Sequence, residues 1–513
     1  MKALVTVPPV CDFYFTGHRF SALGAHIVAD ILESCGITPV LLNFPLLKKK
    51  PTNIPLPPEF HYLKPWLIPG ETGKLSYFTG LKYFGPAPAE CAAMVKAENP
   101  DILFISCFAF CYSQAALELA AAVKECLPGI PVAAGGAGVT AYPEYFIRHP
   151  QIDYAFTGEA EVSLPAFLEA ITGSREPATV PNLYRKRGKS IIKPGVTKKT
   201  TENELRFTWS RTRETGQRLY LATSLSRGCP RRCRFCSNYA DNEFRMVPFA
   251  SFNRGLERLA TALAAVSKTI SLNFEDDNLL TDADAFFKML AAVKRSFPSA
   301  EFYAENGIDY TCLDRSLTER LLLAGMQQFN ISLGSIHPLL LTQEERRADL
   351  AQYLAVLDVL DEYRIPSVSY FICGFRNETR EHTASTLSFL ADKKTLAGIS
   401  LFYAVPGLPD FRDYSLFDSL SPLLCLGGAA YPWNRSLTTG TMVTAFRLSR
   451  LINLLKSRHK TAEDRELLAR IAREKKLCTV VKQDKKHSFV PVPHMDEELV
   501  SLVLSNLQLR ISF

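Results

Sequence analysis

The sequence predicts an α/β protein with two sheet-and-helix domains and a mixed α+β C-terminal region, and three observations carry that expectation. Short continuous apolar runs recur along the chain, among them Ala3–Val7, Ile102–Ile105, Thr269–Phe274 and Ser367–Cys373. Helix-spaced apolar residues fall between them, as in Leu23, Ile27 and Ile31. Such alternation argues for parallel sheets covered by helices on both faces. Glycines and carboxylates gather where the runs end, at the edge of such sheets that takes ligands. A length of 513 residues accommodates several domains at roughly 150 residues each.

Residues 1–175 form the first expected unit. After Ala3–Val7, the stretch Ser21 to Cys35 reads as a helix stopped by Gly36, and Val40–Leu42 as a second buried strand. Ile102–Ile105 is a third strand, Gln114 to Cys126 a helix and Val132–Ala134 a fourth strand. The fourth runs into Gly135, Gly136, Ala137, Gly138, Val139 and Thr140, where missing side chains let a ligand approach the backbone. A plain tight turn explains that segment equally well by itself. Residues 44–88 carry many prolines with Tyr62, Trp66, Tyr77, Phe78 and Tyr83. They read as an insertion, either packed into the core by its aromatics, the preferred reading, or a flap over the cleft.

Residues 176–216 read as a basic, solvated linker. Strand and helix patterns resume over 217–411. The strands are Tyr220–Leu225, Thr269–Phe274, Glu301–Ala304, Phe329–Leu333, Ser367–Cys373 and Ile399–Tyr403. Between them lie helices bearing Leu256, Leu259 and Leu263 (with Ser251 as a cap), then Ala285 to Arg295 and Leu317 to Leu323. Six strands of this kind suggest a partial (β/α) barrel whose reacting groups sit at the strands' carboxyl ends. There the chain places Glu275 and Asp276, Asn306, and Gly334 with Ser335. Carboxylates are the strong acceptors for an ammonium group, although a solvated turn also accounts for Glu275 to Asp277. Residues 412–513 lose this rhythm and read as two helices, a hairpin and a final helix capping the barrel. Trp433 and Asn434 are pocket candidates there, with core packing the more ordinary role for the tryptophan.

The first barrel strand leads into Cys229, Cys233 and Cys236, spaced Cys-x3-Cys-x2-Cys. Three thiolates from one loop fill three corners of a four-iron cluster and leave one iron open to a ligand. A structural zinc site would be one ligand short, since no Cys or His follows Cys236 until Cys312. The spacing, with Phe235 just before the last cysteine, resembles the radical S-adenosylmethionine (SAM) superfamily. The Gly135-Gly136 turn followed by Asp153-Tyr154 and Gly158-Glu159-Ala160-Glu161 resembles the Rossmann-like cobalamin-binding domain that precedes the radical SAM partial TIM barrel in one subgroup.

The resemblance implies a [4Fe–4S] cluster on the three cysteines and SAM chelated to the open iron. Phe235 would lie by the adenine, Glu275 or Asp276 by the methionyl amino group, and Asn306, Gly334 and Ser335 elsewhere along the cofactor. It further implies cobalamin against Gly135, Gly136, Gly138 and Thr140. The chain departs from the family in two places. Neither His18 nor His26 sits in the Asp-x-His-x-x-Gly motif, so either cobalamin would bind without a protein histidine ligand or the domain has lost it. Ser335 stands where relatives often carry glutamate.

The implied activity is reductive cleavage of SAM to a 5′-deoxyadenosyl radical, serving cobalamin-dependent C-methylation of a small molecule. Oxidation, cyclisation or rearrangement without methyl transfer is the alternative, and a non-catalytic electron carrier a remote one. Such an enzyme takes its electron from a donor such as flavodoxin or ferredoxin. A net charge of +7, from 59 Lys+Arg against 52 Asp+Glu, is too diffuse for a nucleic-acid binder. No run of eighteen apolar residues predicts a membrane span, and the first residues do not read as a secretory signal. Thirteen cysteines, mostly in apolar stretches, point to reduced thiols and a cytoplasmic setting.

Overall fold

The computed structural model describes residues 1–15, 20–48, 50–78, 80–238, 241–483 and 486–511. His18 lies outside the described residues. The strands of the first domain are β1 (Ala3–Val7), β2 (Pro39–Asn43), β3 (Ile102–Ser106), β4 (Val132–Gly135) and β5 (Tyr154–Phe156). All five run parallel in the order β5-β4-β3-β1-β2. The sheet is extended by β6 (Leu183–Arg187) and β7 (Ser190–Ile192), both antiparallel, from the stretch expected as a linker. That reading failed because Tyr184, Arg185 and Lys186 are half-buried polar residues, which composition does not separate from a solvated loop. β2 is likewise half-buried, since it forms the opposite edge of the sheet. Helices α1 (Leu23–Ser34), α2 (Ser113–Cys126) and α3 (Ala160–Ile171) flank the sheet, and His26 sits on α1.

The second domain opens with β8 (Trp209–Glu214), also taken from the expected linker, antiparallel to β9 (Arg218–Thr223). β10 (Thr269–Phe274) and β11 (Glu301–Tyr303) continue parallel from β9. A second parallel set comprises β12 (Phe329–Gly334), β13 (Ser367–Cys373) and β14 (Leu396–Leu401). Parallel bridges Phe302↔Met326 and Ile308↔Ile331 join the two sets. The six strands β9 to β14 thus follow one another around a partial barrel, with helices α4 (Phe249–Ala262), α5 (Ala283–Ser296), α6 (Arg315–Ala324), α7 (Leu350–Glu362) and α8 (Arg380–Asp392) outside. Ser251 does not cap α4; it lies within the first turn and donates to the Leu205 carbonyl at 3.2 Å.

Helix α1 packs on β8, so the first domain rests against the barrel's first edge. Thr208 Oγ1 donates to Asp30 at 2.5 Å, and Ser210 donates to the Ser21 carbonyl. In the last region, α9 (Thr439–Lys456) lies along β14, followed by α10 (Ala462–Glu474), the hairpin β15 (Cys478–Gln483) and β16 (Lys486–Pro491), and α11 (Glu497–Ile511). The side-chain amide of Asn453 bonds both backbone groups of Ala397, at 2.8 and 2.9 Å, and so occupies the outer edge of β14.

Residues 44–88 form a strap rather than a free flap. Phe44, Phe60, Leu63, Leu75, Tyr77 and Leu81 are buried. Hydroxyls of Tyr62 and Tyr77 donate to the carbonyls of Ala429 and Gly428 at 2.7 and 2.8 Å. Glu71, fully buried, pairs with the equally buried Arg447 of α9. Trp433 belongs to an aromatic cluster with Phe411, Phe417 and Tyr431, and Asn434 donates to the Gly374 carbonyl at 2.8 Å. Among the described residues, no helix is long and apolar enough to cross a membrane.

Candidate active site

The loop after β9 is held by three consecutive side chains that follow β10. Asp276 accepts from Leu225 N at 3.0 Å and from Ser226 Oγ at 2.5 Å. Asp277 accepts from Gly228 N at 2.8 Å, and Asn278 Nδ2 approaches Cys229 Sγ at 3.6 Å. Gly228 has φ +77°, and an added Cβ would stand 2.1 Å from the Glu243 carbonyl oxygen. Only glycine fits there. Burial raises the carboxyl of Asp276 to about 6, against the opposing pull of its bonds to Ser226 and Leu225. Its bonds within the chain give Asp276 a place as a staple of this loop.

Cys229, Cys233 and Cys236 line one cavity of about 480 Å³ at the carboxyl ends of the barrel strands. The wall also contains Phe235, Asp276, Asn306, Gly334, Arg346 and Tyr403. Burial pushes the Cys236 thiol up to about 11 and raises that of Cys233, although Arg346 Nη1, 3.9 Å from Cys233 Sγ, opposes the latter shift. Bound metal inverts this preference, because a coordinating thiol is deprotonated outright. The nearby Cys312 is not on the cavity wall; Arg231 reaches toward it at 4.0 Å while pairing with Asp309 at 3.1 Å. The donor set facing the cavity is therefore three thiols, which suits a cluster with one iron left to a non-protein ligand.

Of the residues expected from sequence, Phe235, Asp276, Asn306 and Gly334 share this cavity with the cysteines. Phe235 packs against Phe375, ring centres 5.1 Å apart. Glu275 is elsewhere: it accepts from Ser21 of the first domain at 2.6 Å, with its carboxyl raised to about 7 by burial. Ser335 is buried off the wall and accepts from His337 N at 3.2 Å. Arg346 and Tyr403 were not singled out in the sequence, and nothing local marks them. Asn278 follows the Glu275 to Asp277 segment directly in the chain. The Tyr403 side chain is 47% exposed into this space, and Cys236, Cys111 of the first domain and Cys425 are its neighbours.

A second cavity of about 200 Å³ opens at the carboxyl ends of β1, β3 and β4, between α1 and α3. Gly24, Ile27, Val28, Phe104, Phe156 and Leu164 make its walls largely apolar, and Gly135 and Gly136 form part of its rim. Gly136 has φ +100°, and a Cβ would meet the Cys107 carbonyl oxygen at 2.6 Å. Gly138 is needed for packing, since its Cβ would be 2.7 Å from Ala109. Thr140 Oγ1 accepts from Gly158 N at 2.9 Å, tying the glycine turn to the loop after β5. Glu159, Glu161 and Arg227 complete the lining.

The model of the radical SAM superfamily matches residues 223–390, and that of the B12 binding domain matches residues 83–168. Residues 223–390 are thus a radical SAM domain and residues 83–168 a B12-binding domain. Among curated relatives, the cobalamin-dependent radical SAM methyltransferase TokK of Streptomyces tokunonensis is 28% identical over 150 residues, 27% of this chain and 22% of that protein. The 2-(S-pantetheinyl)-carbapenam-3-carboxylate methyltransferase of Streptantibioticus cattleyicolor is 28% identical over 151 residues, again 27% and 22%. The chain thus matches about a fifth of the length of these relatives. Among solved structures, the radical SAM methyltransferase TsrM from Kitasatospora setae, with cobalamin and a [4Fe–4S] cluster bound, superposes with a TM-score of 0.57 at 16% identity. The match covers 80% of this chain and 73% of that one. That likeness concerns the fold.

Proposed function

We propose that this radical SAM protein is a cobalamin-dependent methyltransferase that modifies an unactivated carbon of a small molecule. The observation that carries this is the adjacency of the two cavities: Arg227, two residues before Cys229, lines the cleft of the B12-type domain. When bound, the cluster with SAM supplies a 5′-deoxyadenosyl radical, and the corrinoid a transferable methyl group.

The chain's own residues position these groups and exclude water. Cys229, Cys233 and Cys236 hold three corners of the cluster, and Arg346 donates toward the Cys233 sulfur. Asn306, Ser332, Gly334 and Tyr370 offer the amide, hydroxyl and backbone groups that the polar parts of SAM require, and Phe235 offers an apolar face. Glu275, Ser335, Gly138 and Thr140 act one step back, through the contacts described above. The slot of about 200 Å³ would admit only a slender arm of a corrinoid, held by Gly135, Gly136 and the apolar walls of α1 and α3. Phe402 and Tyr403 close the wall that faces the first domain. A small iron–sulfur or flavin protein is the electron donor in this reading.

The test uses anaerobically purified, iron-reconstituted protein with hydroxocobalamin, a reductant and SAM labelled in the methyl group. Formation of 5′-deoxyadenosine together with label on protein-bound corrinoid is the expected result. Deoxyadenosine with no retained corrinoid moves the protein to radical chemistry without methyl transfer, and an intact cluster that never cleaves SAM removes the enzyme reading. Gly136→Ala is expected to lower hydroxocobalamin retention at least tenfold, read by absorbance after desalting, because its Cβ displaces the rim of the slot.

A further inference from the structure

One carboxylate joins the two cofactor sites. Glu159, on the loop between β5 and α3, accepts from Arg245 Nη1 at 2.6 Å through Oε2. Its other oxygen, Oε1, is buried, has no hydrogen-bond partner among the described residues and lies 4.0 Å from Arg227 Nε. Arg245 is nearly fully buried and also donates to the Thr200 carbonyl at 2.7 Å and to Asp241 at 2.5 Å. It therefore fixes Glu159 from one side.

Arg227 stands on the other side and pairs with Arg245 across a two-stranded ribbon. Its Nη1 donates to Ser224 Oγ at 2.6 Å and to the Ser226 carbonyl at 3.0 Å, both on the segment leading into the cysteines. Gly228, which separates Arg227 from Cys229, donates its N–H to Asp277 at 2.8 Å, and a side chain at this position would meet the Glu243 carbonyl. Both Glu159 and Arg227 line the slot of the first domain.

We infer that Glu159 and Arg227 are positioning residues that couple occupancy of the corrinoid slot to the geometry of the cluster loop. An N–H or O–H donor on the slot's ligand completes the coordination of Glu159 Oε1, which sets the Glu159–Arg227 spacing and, through Ser224 and Ser226, the placement of Cys229. Corrinoid and SAM then bind with a shared free energy, and the linkage is reciprocal. The inference rests on the proposed function to the extent that both cofactors bind.

Equilibrium dialysis of the full-length, iron-reconstituted protein against radiolabelled SAM, with and without saturating hydroxocobalamin, measures this. Hydroxocobalamin is expected to tighten SAM binding about fivefold or more, and SAM to tighten hydroxocobalamin by the same factor. Glu159→Gln should bring that factor to within about twofold of unity while iron content and circular dichroism match the parent. Arg227→Gln, which removes the cation that faces Glu159 Oε1, should act alike and serves if the first variant does not fold. A parent factor of one, or a factor unchanged in the folded variant, overturns the coupling while leaving the proposed function intact. A parent that binds neither cofactor overturns both.

Discussion

Cys233→Ala is expected to reduce SAM cleavage at least about 10³-fold, which at ~1.4 kcal/mol per tenfold is about 4 kcal/mol of barrier. Cys233 is the buried member of the three, and it stands where Arg346 reaches the cavity wall. Losing it leaves two thiols for four irons. The measurements are iron per chain after reconstitution and 5′-deoxyadenosine formed per minute. Cys312→Ala is the control, because Cys312 lies off the cavity wall beside Arg231. It should change deoxyadenosine formation by less than about twofold, in keeping with substitutions away from a functional feature. If both variants retain activity, the cluster is not on this loop.

The largest stability effect is expected at Glu71. Its carboxylate and the Arg447 guanidinium are both completely buried, and Arg447 donates to both carboxylate oxygens as well as to the Leu75 and Trp66 carbonyls at 3.1 and 3.3 Å. Thr479 Oγ1 adds a bond to Glu71 at 2.6 Å from the C-terminal hairpin. Glu71→Gln leaves an uncompensated cation in a dry interior, which costs about 3–5 kcal/mol, whereas exchanging both partners for neutral groups is often close to neutral. Guanidinium unfolding of Glu71→Gln should show this loss, with the strap and the last hundred residues releasing first. The double variant Glu71→Gln, Arg447→Met should recover most of it. A single variant as stable as the parent would mean that the pair holds nothing.

The alternating architecture was legible in the sequence because fully buried strands read as unbroken apolar runs, as in Ile102–Ser106, buried apart from its last residue. The edges were not. Leu183–Arg187 and Trp209–Glu214 carry arginines and lysines on half-exposed faces, a pattern that strand and solvated linker share. The cysteine loop could be read because its three thiols come from one contiguous stretch, a spacing visible without any knowledge of the fold. Side chains arriving from distant loops, such as Arg346 and Tyr403, leave no local spacing to read. Glu275 and Asp276 show the limit of position alone: neighbours in the chain after β10, they face opposite ways, one toward Ser21 and the other toward Leu225 and Ser226.

A partial barrel ends on an open strand, and here that strand is β14. Its free backbone would be a template on which a second chain could add a strand. Asn453 fills the place of such a partner, its amide acting as a single rung of ladder against Ala397. The consequence is a covered edge: the helix that carries Asn453 occupies the unclosed side of the barrel. Removing that one amide would leave a backbone donor and a backbone acceptor of the last strand without their partner.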